Sequence, residues 1–282
     1  MMYRTVIPVS TLRQHLEDPT FVIFDCRHDL MKPQAGAQAY AATHIPGARF
    51  AHSDSDLAGA KNGKNGRHPL PDPQLFASWL GRNGVSSSTQ VVAYDFAGGA
   101  SATRLWWMLR WLGHDGVAVL DGGWEAWTKA GAPVTADLPK IEPAMFSASP
   151  RALAVDVSYI QSHLKDAGMT IVDARSPERY RGETEPIDPV AGRIPGALNR
   201  LYKNNLDTTG MFKPAAELRS DFVALLGDRP PQQVVHQCGS GVSACHNILA
   251  MEIAGLNGSR LYPGSWSEWC ADPSRPIARG PA

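Results

Sequence analysis

Cysteine is scarce in this chain: four among 282 residues, Cys26, Cys238, Cys245 and Cys270. No two form a CxxC pair, and none clusters with histidines at the spacing of a structural zinc. A disulfide framework and a zinc-held domain are therefore set aside, and free thiols in a reducing cytoplasm are expected. A charge excess of either sign is missing too, since lysine plus arginine and aspartate plus glutamate each number 27. Without a basic patch no nucleic-acid partner is expected, and without a polybasic run no membrane surface. Long apolar runs are also absent. Met1 to Pro8 holds none fit for a signal peptide, and nothing approaches a bilayer span. Apolar residues nonetheless make up 43% of the chain, enough for a sizeable core, and the length suits two ordinary domains.

The chain repeats itself. Phe21-Val22-Ile23-Phe24-Asp25-Cys26-Arg27 returns as Thr170-Ile171-Val172-Asp173-Ala174-Arg175, and His44-Ile45-Pro46-Gly47-Ala48 as Arg193-Ile194-Pro195-Gly196-Ala197. Val91 to Asp95 returns as Val234 to Cys238, and the Trp124 segment (Leu120-Asp121-Gly122-Gly123-Trp124) as Leu261 to Trp266. Four blocks in one order at nearly constant spacing make two copies of one domain. The boundaries read as 1–135 and 151–282, with the proline-bearing, aperiodic stretch 136–150 as linker. Each copy alternates short apolar strands with helical patterns: 10–16, 72–80 and 103–112 in the first, 158–164, 214–226 and 244–254 in the second. That alternation predicts an α/β fold, each copy a parallel sheet with helices on both faces.

Loops at the carboxyl ends of parallel strands are where such sheets place their ligands. In the second copy that place holds Cys238-Gly239-Ser240-Gly241-Val242-Ser243, between the strand of Val234 and Val235 and the helix from Ala244. The glycines let the backbone fold around the sulfur, and backbone N–H groups with a helix N-terminus would favour its thiolate. Such a thiolate is a nucleophile near neutral pH; the competing reading is a buried structural cysteine. In the first copy Asp95 stands at the matching position, so that copy reads as non-catalytic. Cys245 falls two helical turns after Cys238 and reads as core-facing.

Together, the tandem arrangement, the two Ile-Pro-Gly-Ala turns, Leu-Asp-Gly-Gly, Tyr262-Pro263-Gly264-Ser265-Trp266-Ser267-Glu268-Trp269 and the Cys238 loop resemble the two-domain rhodanese family of sulfurtransferases over nearly the whole chain. The resemblance implies two tandem rhodanese-like domains in which Cys238 carries a sulfane sulfur as a persulfide. A neutral loop, here Gly239-Ser240-Gly241, resembles the members that use 3-mercaptopyruvate, whereas a thiosulfate preference goes with basic residues there. Thiosulfate, being a dianion, gains from cations in the cradle, while mercaptopyruvate carries its single carboxylate further out. The resemblance puts a donor-binding arginine at Arg179, with Gly239, Gly241, Val242 and Ser243 lining the sulfur. It also implies a relay of Asp54, His68 and Ser240. A second carboxylate-holding arginine of some relatives falls near Asp188, and Arg193 is the candidate substitute. Arg175 is expected to bond locally and support the fold, as Arg27 would.

The implied reaction needs no metal and no cofactor. Its partners are a small-molecule sulfur donor and an acceptor: thioredoxin, a low-molecular-weight thiol, or cyanide. Thiosulfate as donor is the alternative. A cysteine phosphatase would need a phosphate-binding arginine where Ala244 stands, and a non-enzymatic sulfide-binding module would not need the intact Cys238 loop.

Overall fold

The computed structural model describes residues 2–96, 98–166 and 168–281. The chain divides into two compact units. The first comprises the chain up to Gly59, Pro71–Arg151 and Thr208–Phe212; the second comprises Ala60–Leu70, Ala152–Asp207 and the chain from Lys213. Residues 60–70 precede the repeat boundary yet pack with the second unit, which places Arg67 and His68 there. Residues 136–150 do not hang free as a spacer, because Ala144 N–H donates to Gly81 O at 2.8 Å and Ser149 N–H to Leu112 O at 2.9 Å, both within the first unit.

In the first unit the elements run β1 (Val6–Ile7), α1 (Val9–Gln14), β2 (Phe21–Asp25), α2 (Ala35–Ala42), β3 (Arg49–Phe50), α3 (Pro73–Arg82), β4 (Gln90–Tyr94), α4 (Ala102–Trp111), β5 (Val117–Leu120) and α5 (Gly123–Lys129). The sheet order is β1-β5-β4-β2-β3, and every pair is parallel. All five residues of β4 are buried, so both faces of the sheet are covered. Ile23, Val92 and Leu120 meet Leu12 of α1 and Trp127 of α5 on one face. On the other, Phe24 stacks on Trp79 of α3. Helix α3 starts where Asp72 caps the N–H groups of Gln74 and Leu75 ahead of Pro73, a strong local start signal.

The second unit runs α6 (Val157–Ser162), β6 (Thr170–Asp173), α7 (Pro177–Arg181), β7 (Leu198–Asn199), α8 (Ala215–Leu226), β8 (Val234–Gln237), α9 (Ala244–Ile253), β9 (Arg260–Leu261) and α10 (Ser265–Trp269). Its sheet, β7-β6-β8-β9, is also parallel throughout. Ile171 and Val235 pack with Ile160 of α6 and Trp266 and Trp269 of α10. The opposite face carries His236, whose Nε2 lies 3.1 Å from Met251 Sδ of α9. Truncating either buried tryptophan would remove about 3–5 kcal/mol from this core. No helix among the described residues is long and apolar enough to cross a membrane.

Candidate active site

Strand β8 delivers Cys238 to the carboxyl edge of the second sheet, and helix α9 begins six residues later. The cysteine is 2% exposed, so its sulfur sits in the wall of the loop and not on the surface. Gly241 N–H donates to Cys238 Sγ at 3.2 Å. That contact needs φ +74° at Gly241, where an added Cβ would collide with the Pro263 carbonyl. Val242 and Ser243 form the turn into α9, their carbonyls accepting from the N–H groups of Cys245 and His246. Cys245 is fully buried and its thiol donates to Gly241 O, as a packing residue would.

A second support comes from α10. Ser265 Oγ accepts Cys238 N–H at 3.1 Å and donates to Tyr262 O at 2.9 Å. Trp266 N–H and Ser267 N–H donate to the carbonyls of Cys238 and Gly239 at 3.0 and 2.9 Å. Ser265 holds φ +54°, the one positive value at a non-glycine among the described residues. Backbone strain of this kind is kept where the surroundings over-determine it, and here it aims a hydroxyl at the nucleophile's own peptide. Nothing in the sequence singled out Ser265; its signal is that the equivalent residue in the first copy is Gly123.

Ser240 and His68 do meet: Oγ and Nδ1 are 2.8 Å apart, and both residues are buried. Asp54 belongs to the first unit, where its N–H donates to His52 Nδ1 at 3.1 Å.

Charge gathers around the loop in a lattice of arginines and carboxylates. Arg175 forks onto Asp173, reaches Glu185 at 3.4 Å and Gly192 O at 2.8 Å, and lies 4.8 Å over the Trp266 ring. Burial works against its charge, but Asp173, Glu185 and Cys238 outweigh that and raise its pKa. Arg179 of α7 donates from Nε and Nη2 to Glu185 at 3.2 and 2.7 Å, and from Nη2 to Asp188 at 3.3 Å. Burial pushes Glu185 up, yet the Arg179 bonds and the N–H groups of Asp188 and Ile187 bring its pKa below the usual range. Asp188 moves the other way, because its desolvation exceeds the pull of Arg67 and Arg179.

Arg67 was not anticipated. Its Nη1 pairs with Asp188 Oδ1, and its N–H donates to Ser267 Oγ at 3.0 Å. A Cβ built on Gly239 would lie 2.7 Å from Arg67 Nη2 and 3.6 Å from Arg179 Nη1. Neither nitrogen has a hydrogen-bond partner among the described residues. Two free guanidinium edges therefore converge one residue beyond the nucleophile, where a side chain at Gly239 would displace the tip of Arg67. The only hint in the sequence is Arg67's place beside His68. Arg193, by contrast, is drawn elsewhere: its guanidinium donates to Gly280 O at 2.7 Å and Pro281 O at 3.0 Å and lies over the Tyr180 ring. Its two terminal nitrogens are spent on the carbonyls of Gly280 and Pro281, so its substitution for the arginine missing near Asp188 finds no support in the geometry.

A parallel sheet ending in a cysteine-led loop, built twice with the cysteine kept once, defines the class. The rhodanese-like domain model matches residues 8–130 and 156–272. The chain is 46% identical over 278 residues to the "Probable 3-mercaptopyruvate sulfurtransferase" of Pseudomonas aeruginosa, covering 98% of each chain. It is 32% identical over 294 residues to the thiosulfate sulfurtransferase of Cricetulus griseus, covering 99% of this chain and 97% of that one. Among solved structures it matches the 3-mercaptopyruvate sulfurtransferase SseA of Escherichia coli with TM-score 0.80 and 30% identity, over 94% of this chain and 99% of that one. The enzyme of the same name from Leishmania major matches with TM-score 0.83 and 31% identity, over 94% of this chain and 74% of that one. The chain belongs to the rhodanese family and consists of two tandem rhodanese-like domains.

Proposed function

We propose that the protein is a sulfurtransferase that moves sulfur from 3-mercaptopyruvate, through a persulfide on Cys238, to an acceptor. The Cys238 thiolate attacks the donor's thiol sulfur. The carbon–sulfur bond breaks, its electron pair leaves on the methylene carbon as an enolate, and protonation of that carbon releases pyruvate. Gly241 N–H stabilises charge on the Cys238 sulfur throughout. We assign the proton transfer to Ser240 and His68, which are hydrogen-bonded to each other, and the family resemblance adds Asp54 as a third member of the relay. In the second half-reaction an acceptor thiolate, from thioredoxin or a small thiol, attacks the outer sulfur and regenerates Cys238; cyanide would leave as thiocyanate.

The observation that carries the donor assignment is the pair of free guanidinium edges of Arg67 and Arg179 at Gly239, beside a loop that has no cation of its own. A planar carboxylate with its neighbouring keto oxygen fits two such edges, while the sulfur end meets an uncharged cradle. Thiosulfate remains the second reading, favoured by the full-length likeness to the Cricetulus griseus enzyme.

Mass spectrometry after incubation with 3-mercaptopyruvate should find one added sulfur on the peptide containing Cys238. No added sulfur there would end the persulfide mechanism. Parallel kinetics should give the higher kcat/KM with 3-mercaptopyruvate, and a preference for thiosulfate would overturn the donor assignment alone.

A further inference from the structure

The first unit contains a cleft of about 480 Å³ that the sulfur chemistry leaves unused. Its wall includes Phe21, Val22 and Ile23 of β2, Pro46, and Arg49 of β3. Arg49 is half-buried, its Nη1 donates to Gly47 O at 3.1 Å, and its Nε is buried without a hydrogen-bond partner. No carboxylate pairs with it among the described residues. Burial lowers its pKa, and only the Tyr40 hydroxyl opposes the shift. The more deeply buried Arg27 and Arg175 each fork onto an aspartate.

The fold itself does not ask for a cation here. Arg49 pairs in register with Phe24, and the equivalent position in the second unit, paired with Val172, is Leu198. A guanidinium kept half-buried and unbalanced where leucine serves equally well calls for an anion from outside the chain. The mouth narrows the choice. Glu17, Asp18 and Glu142 stand there against Lys140, which repels multiply charged anions. The flank is apolar and flat, with the His15 ring stacked on Phe21 at 4.1 Å.

We propose that this cleft binds a small organic monocarboxylate, its carboxylate on the Arg49 guanidinium and its carbon body against Phe21. The cleft belongs to the first unit and Cys238 to the second, and binding there needs no turnover to be seen, so the proposal stands or falls separately from the donor assignment.

Propionate titrated into the labelled protein should shift amide resonances of residues 15–23 and 46–49 saturably. Arg49→Met should weaken that binding at least about 10-fold, the loss of one charge-assisted contact. Any shifts around Cys238 should be unaffected by the substitution. Without ligand, Arg49→Met should melt at the same temperature or higher, because an unbalanced cation has been removed. Absence of saturable shifts near Arg49, or shifts that survive Arg49→Met, would overturn the proposal. A clear fall in melting temperature would make Arg49 a structural residue, and equal binding of inorganic phosphate would overturn the monocarboxylate assignment.

Discussion

The loops at Asp95 and Cys238 share a backbone plan and differ in what fills it. In the first unit the Asp95 carboxylate accepts N–H groups from Gly99, Ser101 and Ala102 at 3.0, 2.8 and 3.1 Å. The amides that could hold a bound anion are satisfied by the chain's own side chain. In the second unit the shorter side chain accepts one such bond, Gly241 N–H donating to Cys238 Sγ at 3.2 Å. Trp124 N–H bonds Asp95 O just as Trp266 N–H bonds Cys238 O. At the residue before each tryptophan, Gly123 and Ser265 hold φ +56° and +54°. The first copy uses glycine there without strain; the second accepts strain and gains a hydroxyl on the Cys238 peptide. Beneath the loops, Tyr94 OH bonds Asp25 at 2.7 Å, whereas the shorter Gln237, paired in register with Asp173, has no partner for either amide atom among the described residues. One loop is closed on itself and braced from below. The other is braced from the side by Ser265 and Trp266, at some expense in stability.

The largest test of that contrast exchanges the two side chains. Cys238→Ser should lower sulfur transfer by about 10⁴-fold or more, since hydroxyl replaces the nucleophile. Asp95→Cys should not restore it or take up sulfur from 3-mercaptopyruvate, because Met31 stands where the second copy has Arg179. A persulfide on the new cysteine would show that the loop alone suffices.

Next come the arginines. Arg179→Ala and Arg67→Ala should each reduce kcat/KM for 3-mercaptopyruvate about 30–100-fold, the value of a charge-assisted hydrogen bond. A donor lacking the carboxylate should be nearly indifferent to both changes. Equal losses with both donors would make the arginines supports of the loop.

Ser265→Gly separates strain from hydroxyl. Removing one hydrogen bond of about 1 kcal/mol to the Cys238 peptide should lower kcat about 5-fold. Relief of the left-handed φ should at the same time hold or raise the melting temperature. An unchanged kcat would reduce Ser265 to a turn residue.

The smallest effect is a divergence of the two units in acid. Burial, opposed by its three N–H bonds, raises Asp95 to about 6, so the folded form binds a proton more tightly than the unfolded chain. Its contribution to stability therefore improves by about 1 kcal/mol as pH falls from 7 to 5. His236 is pushed down to about 3 by burial and by Arg200, so the unfolded chain takes the proton first. Its contribution worsens by about 2 kcal/mol over the same fall. Hydrogen exchange at pH 5 should accordingly show the amides of β6 and β8 losing protection before those of β2 and β4. The reverse order would contradict both assignments.

Much of this was legible in the chain. The repeat announced two copies, the Asp-x-Arg elements announced Arg27 and Arg175 as local supports, and the strand–glycine–helix pattern pointed to Cys238. Arg179 came only from the resemblance to the rhodanese family, which puts a donor-binding arginine there. Arg67 could not be read from the chain, because its role depends on residues 60–70 joining the second unit, a fact of packing across most of the chain's length. Arg193, offered because it replaces the first copy's His44, depends on packing in the same way: its guanidinium donates to the carbonyls of Gly280 and Pro281.

By itself, then, the sequence determined what is local: the strands and helices, the doubled α/β plan, the glycine turn, and which copy keeps a nucleophile. These follow from periodicity and backbone freedom over a few residues. Only the tertiary structure decided which charges gather at Gly239. Arg67 and Arg179 converge on Gly239, Ser265 takes the Cys238 N–H, and Arg49 has no carboxylate partner among the described residues. Ion pairs and hydrogen bonds are set by proximity in space within a few ångströms, and no spacing along the chain encodes that.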